Sequence, residues 1–402
     1  MFKRLTVVVG LGLSLPATPV SAQVAVTPEE MPSINQIIDS RVKQNSLKCD
    51  VRPRNPSLDF NFRYQAGFVL SASLRQFTPG EEPISYLRVT PQGGSPVILR
   101  GTFDISPIVQ NAADKLGPSD LRKFEITMSG AFNVGQGSYT AELLLMDKRR
   151  SCYKRWNLKT GRYGNEAVPL ALKPLTVAPL ATESWDGKLD PKGVRLSVLL
   201  DAAPMNPFAV KLHAWDRAFL LEALASLLRQ VPCQSVQVIS FNLDQQREVF
   251  RQERFDTAGF AQLATVLEKL EPASVPIQAL QRGSWRKFLQ RLAQDQLSAK
   301  NPSDVVVFLG PMTHFDEKVP MEYPGRASSR FFYLEFYRLG ALFPDAIDHL
   351  TKALHGSVFP VNTANDLASA IQKILAQVKP TQSSESFPHS DETAGLPKSA
   401  NN

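Results

Sequence analysis

Two short runs, "VRLSVLLD" at 194–201 and "DVVVFLG" at 304–310, constrain this 402-residue chain more than any other feature. Both are strand-length and almost continuously apolar. A strand with one face in water alternates apolar and polar side chains. A run without that alternation reads as a strand buried on both faces, as in a parallel sheet. Amphipathic helical patterns stand between such runs. In "DRAFLLEALASLLRQ", Phe219, Leu220, Ala223, Leu224, Leu227 and Leu228 fall on one apolar stripe. Strands are expected at Val194–Leu200, Ser235–Asn242, Arg247–Gln252, Asp304–Leu309, Phe331–Tyr337 and Ser357–Val361. Helices are expected at Trp215–Gln230, Thr257–Leu270, Ser284–Ser298, Pro344–Leu354 and Thr363–Val378. This alternation predicts an α/β Rossmann-like open sheet over 193–379, with helices on both faces. The link between 235–242 and 247–252 is too short for a parallel crossover, so that pair reads as an antiparallel hairpin at the sheet edge.

The preceding half has a different period. In "LDFNFRYQAGFVLSASLRQF", Leu58, Phe60, Phe62 and Tyr64 point one way and polar residues the other. Further β-branched and aromatic runs follow, separated by turn residues, and "GQGSYTAELLLMD" enters a late strand as immunoglobulin-like sandwiches do. Residues 48–159 are expected to form an Ig-like β-sandwich of about seven strands, with a short helix near 117–121. Residues 23–47 read as an N-terminal helix opened by Thr27-Pro28-Glu29-Glu30, with Ile34, Ile37, Ile38 and Val42 at helical spacing. The Pro- and Gly-rich 160–192 segment reads as a linker that packs along a surface. The Ser- and Pro-rich 380–402 segment reads as a disordered tail.

Residues 1–22 have the form of a signal peptide: Lys3 and Arg4, an apolar run, then Val20-Ser21-Ala22 before Gln23. Removing Lys3 and Arg4 lowers the formal charge by two, from +7 to +5. The reading is of a secreted or periplasmic protein with no membrane span once the leader is gone. The densest basic cluster, "DKRRSCYKRW", lacks the broad basic face that nucleic-acid binding requires, so no nucleic-acid partner is expected. In an oxidising compartment the three cysteines allow three pairings. Cys49 and Cys152 bracket the β-rich segment and are the favoured pair, which leaves Cys233 as a buried thiol.

The order of elements in 193–379, with its early antiparallel edge strand, resembles the von Willebrand factor A (VWA) domain. The likeness rests on "VRLSVLLDAAP" as first strand, "DVVVFLGP" as fourth, and "FPDAIDHLTKALHGSVFPVNTANDLASAIQKIL" at 343–375 as the closing elements. The resemblance implies a metal site built on Asp-x-Ser-x-Ser after the first strand, with a later Thr and an Asp after the fourth strand. Asp201 matches the first position. Ala203 and Met205 stand where the two serines belong, Gly310 and Pro311 where the Asp belongs, and the middle loop offers only Ser274. One carboxylate cannot complete an octahedral oxygen shell. No metal and no cofactor are therefore expected.

No hydrolase elbow, P-loop, dinucleotide fingerprint or metal-spaced histidine pair occurs. The expected function is a non-catalytic, exported protein-interaction module with an unknown protein partner. Its binding face is expected from 201–215 and 310–330, with Asp201, Asn206, Phe208, His213, Met312, His314, Phe315 and Tyr323 as candidates. The exposed aromatics and Met would be the anchors. The alternatives are a metal-dependent adhesion-type module, or a hydrolase using a rim cluster of Asp201, His213 and His314, with Asp316 nearby.

Overall fold

The computed structural model describes residues 23–41, 46–115, 124–147, 150–161, 169–180, 184–206, 209, 211–272, 274, 283–319, 329–336 and 344–378. The leader, the helix expected near 117–121, the 380–402 tail and the site candidates Phe208 and Tyr323 lie outside the described residues.

The N-terminal half is two antiparallel sheets packed face to face. One sheet has the order β1-β5-β4-β7-β8, with β1 Val24–Ala25, β4 Ile84–Pro91, β5 Val97–Thr102, β7 Gly137–Met146 and β8 Ser151–Thr160. The other has the order β2-β3-β6-β9, with β2 Cys49–Leu58, β3 Tyr64–Ser73, β6 Glu125–Val134 and β9 Val177–Pro179. Period-two alternation fills the space between them: Ala66, Phe68 and Leu70 of β3 meet Leu87 and Val89 of β4 and Leu143 and Leu145 of β7. Cys49 and Cys152 are disulfide-bonded, with Cα atoms 6.2 Å apart, and tie β2 to β8.

Helix α1 (Met31–Arg41) covers the outer face of the first sheet. Its Ile34 and Ile38 pack on Tyr86, Ile98 and Leu144, the residues that point away from the sandwich core. Beneath it, Arg88 bridges Asp39 at 2.9 Å and Glu142 at 2.7 Å. A second helix, α2, spans Ser106–Lys115. Segments read as flanking the sandwich contribute strands to it: β1 comes from the 23–47 segment and β9 from the linker. Both are too short for a periodic signal.

The C-terminal half holds a six-stranded sheet in the order β12-β11-β10-β13-β14-β15. Its strands are β10 Val194–Asp201, β11 Cys233–Asn242, β12 Arg247–Gln252, β13 Val305–Pro311, β14 Arg330–Phe336 and β15 Ser357–Val361. The helices are α3 Ala214–Gln230, α4 Thr257–Lys269, α5 Ser284–Ser298, α6 Ala346–Ala353 and α7 Ala364–Val378. Alternate side chains of β10 enter two different cores. Leu196, Val198 and Leu200 join Leu224, Leu263 and Ile371 of α3, α4 and α7. Leu199 joins Leu289, Leu292 and Leu350 of α5 and α6.

The expected fold class, an α/β Rossmann-like, VWA-like open sheet preceded by a sandwich, is corrected at the level of the chain. Among the described residues, eight of the twelve strand pairings are antiparallel. The described residues form three sheets, two of them wholly antiparallel. The chain is a mostly antiparallel, sandwich-type β protein, and parallel pairing is confined to β10, β11, β13, β14 and β15. The physical reason is that a continuous apolar run reports burial on both faces. It characterises the strand that carries it, and here such strands are the minority.

The two halves meet through the loop between β2 and β3. Phe60 is 5% exposed, and its ring lies 3.9 Å edge-on from Phe219 of α3 and 5.8 Å from Phe336 of β14. The Phe60 N–H donates to Glu222 at 3.2 Å and its carbonyl accepts from the Ser226 hydroxyl at 2.5 Å. Asn61 accepts from Arg229. Phe62, at φ 59°, turns the loop back and its carbonyl accepts from the Ala171 N–H at 3.0 Å. The stretch read as an alternating strand thus breaks at its middle to make a plug.

Candidate functional site

Strand β10 ends on Asp201 at the carboxyl edge of the six-stranded sheet. The Ala202 N–H continues the ladder to the Phe241 carbonyl at 2.7 Å, and Asn242 donates to the Ala202 carbonyl at 2.8 Å. Leu200 faces Leu309 on β13, so Asp201 and Gly310 are the next row, and Gly310 in turn faces Glu335 on β14. Residues side by side in a parallel sheet point to the same face. Asp201 and Glu335 therefore share a face across Gly310. A Cβ at position 310 would lie 2.8 Å from the Asp201 Cβ, inside van der Waals contact. Gly310 leaves the room that the Asp201 side chain occupies beside β13.

This row is enclosed, not open. Asp201, Glu335, Asp345 and Asp348 are all buried. Asp345 caps α6, accepting from the Asp348 N–H at 2.8 Å. It also accepts from the Thr313 N–H at 2.6 Å and the Tyr333 hydroxyl at 3.2 Å, which fixes the loop after β13. Burial raises the Asp345 carboxyl above its ordinary value, against the pull of those hydrogen bonds. Burial, reinforced by Asp345 and Asp348, pushes Glu335 up to about 7, with Lys352 opposing. Burial and the neighbouring Asp345, Glu335 and Asp201 hold the Tyr333 phenol well above its usual range. The cluster can store a proton near neutral pH inside the fold.

That storage has a measurable sign. The Glu335 carboxyl is raised in the folded state, so between its unfolded value and about 7 the folded chain binds the extra proton. Stability from this group is full below pH ~4.3 and falls as pH rises through 7, by ~3 kcal/mol in all. Glu335→Gln removes the titration. The variant should match the parent near pH 4 in urea melts and exceed it by ~3 kcal/mol at pH 8. Parallel pH curves for the two proteins would refute the assignment.

The remaining candidates separate. His213 precedes α3 and is exposed. Its backbone N–H donates to Asp216 at 2.9 Å, while the other oxygen of Asp216 accepts from the Met205 N–H at 3.0 Å. The buried Asp216 therefore pins both ends of the 205–213 loop. Asn206 is exposed on that loop. His314 is exposed and pairs with Asp244 at 3.4 Å, so the Asp201, His213 and His314 cluster of the hydrolase alternative is not what His314 joins. The His314 ring lies 4.0 Å from Phe315, which stacks on Trp285 at 4.7 Å.

Two expected anchors are corrected. Met312 is 3% exposed and its N–H donates to the Phe336 carbonyl, because the chain is still leaving the sheet at that point. Phe315 is half-buried against Trp285 and the α5 core. Asp201 is likewise buried at 1% and cannot touch a partner directly. Asp316 is exposed. Among the described residues, no group of three or more His, Cys, Asp or Glu is arranged to hold a metal ion.

Three residues were missed from sequence. Glu335 is a carboxylate five residues into the otherwise apolar run after Arg330 in "RFFYLEF", a pattern that flags a perturbed carboxyl. Asp345 stands three before Asp348 at a helix start, the spacing of a cap. Trp215 is 52% exposed on the first turn of α3, and nothing in its local pattern sets it apart from the apolar stripe that follows.

No family model matches the chain, and no curated protein matches it. Among solved structures it is similar to the sulfur carrier protein SoxY from Chlorobium limicola f thiosulfatophilum, at 12% identity and TM-score 0.17, over 33% of this chain and 97% of that one. It is also similar to a glycosyl hydrolase family 2 member from Bacteroides cellulosilyticus DSM 14838, at 10% identity and TM-score 0.18, over 75% of this chain. The chain spans 37% of that hydrolase. Likeness at these TM-scores defines neither fold nor activity.

Proposed function

We propose that the chain is an exported, non-catalytic protein that works by binding a protein partner at the carboxyl rim of the six-stranded sheet. Trp215 carries this reading. An indole 52% exposed at the start of a 17-residue helix is a rigid, apolar anchor of the kind that dominates protein interfaces. Exposed Asn206 and His213 precede it in the chain, next to and at the two backbone positions that Asp216 pins, Met205 and His213. The Cys49–Cys152 bond supports a periplasmic or extracellular setting, where such bonds persist. No helix among the described residues is long and apolar enough to cross a membrane. The reading gives no role to a cation, because Ala203 and Met205 bring no side-chain oxygen to Asp201.

A photo-crosslinking side chain placed at 215 in the producing cell should yield a discrete protein adduct. One placed at Leu189, 46% exposed on another surface, should not. Against the partner so captured, Trp215→Ala should weaken binding about 30-fold, the cost of removing an aromatic hot spot. Adducts at 189 and none at 215 would move the docking face elsewhere.

A further inference from the structure

We propose that the cleft between α5, the 316–319 segment and α6 binds a small oxyanion, a carboxylate or a phosphate, and that the Glu317 carboxylate holds its place until it arrives. The cleft is an open groove of about 780 Å3. Its wall carries four nitrogen-bearing side chains, Arg286, Lys318, His349 and Lys352, against the single carboxylate of Glu317. Arg286 lies in the first turn of α5, where the helix dipole adds positive potential. Its guanidinium sits 5.3 Å over the Trp285 ring, which also stacks on Phe315 at 4.7 Å. The Arg286 fork is thereby held in place.

Only part of that fork is used. One terminal nitrogen, Nη2, pairs with Glu317, while Nε is buried with no hydrogen-bond partner among the described residues. A guanidinium engages an oxyanion best side-on, through two parallel N–H bonds. Glu317 is 54% exposed and swings into water at little cost, which frees the second position. Lys352 is held by Asp348 at 2.7 Å. Lys318 is exposed with no ion-pair partner among the described residues, and half-buried His349 stands beside it on the wall. Lys318 supplies the charge that Glu317 does not neutralise, and His349 offers a ring nitrogen. The buried Val319 floors the cleft.

The test is calorimetric titration of the full, disulfide-bonded chain with inorganic phosphate and, separately, succinate, at ionic strength held constant with chloride. One anion should saturate a single site per chain, and which one does so identifies the ligand's head group. Glu317→Gln, which removes the competitor, should tighten binding up to about five-fold. Lys318→Ala, on an exposed side chain, should weaken it about ten-fold. Trp215→Ala should leave it unchanged, which keeps this outcome separate from partner binding. Saturation by neither anion, or no tightening in Glu317→Gln, would overturn the proposal.

Discussion

Replacing Cys49 and Cys152 together with serine should cost ~3–5 kcal/mol. The bond closes a loop of 103 residues, and in the chain-entropy account a loop near 100 residues gives up to ~4.7 kcal/mol. It joins β2 in one sheet to β8 in the other, so its loss also loosens the stacking of the sandwich. Cys233 does not confuse the experiment. It is buried, and burial pushes its thiol up to about 12, so it is a poor nucleophile for exchange. Urea denaturation of the double variant and of the reduced parent should give the same lowered midpoint. A loss below ~1 kcal/mol would mean that the sheets hold together without the staple.

Phe60→Ala should cost about 3–5 kcal/mol, in the range for emptying a buried aromatic site. Three rings, Phe60, Phe219 and Phe336, form one group spanning the halves, with Phe219 edge-on to both others and 5.0 Å from Phe336. Truncation leaves a cavity between α3 and β14. It also slackens the hydrogen bonds that the Phe60 backbone makes to Glu222 and Ser226. The calorimetric trace should change in shape as well as position. The parent should unfold in one transition, and the variant in two, as sandwich and six-stranded sheet lose their common contact. A single transition at an unchanged temperature would show that the plug does not couple them.

The sequence was most legible where pattern and local structure have the same cause. The expected strand at Val194–Leu200 is Val194–Asp201, and the expected helix at Trp215–Gln230 is Ala214–Gln230. The strand rests on a continuous apolar run and the helix on a periodic apolar stripe, and the cores use both directly. The hairpin of β11 and β12 follows from the few residues available to connect them. The Cys49–Cys152 pairing was legible because one cysteine preceded the β-rich segment and the other closed it. The fold class of the whole chain was misjudged because its most conspicuous strands are not its most numerous. Strands β1 and β9 take their place from pairing partners far away in sequence, Val24 with Arg100 and Val177 with Val134, and no local period records that. At the rim, sequence located the loops but not the depth of each side chain. Met312 and Asp201 sit where strand ends are still inside the protein, whereas Trp215, one turn further into a helix, is outside.

Helix α3 has a further consequence. Its 17 residues make a rod about 25 Å long. Trp215 stands at one end, and Phe219, Glu222, Ser226 and Arg229 grip the sandwich loop along the next four turns. The indole is therefore on a lever bolted to the other half of the molecule. A pull on the sandwich and a push on the indole act on the same stiff member, and neither half can tilt without carrying the other's surface with it.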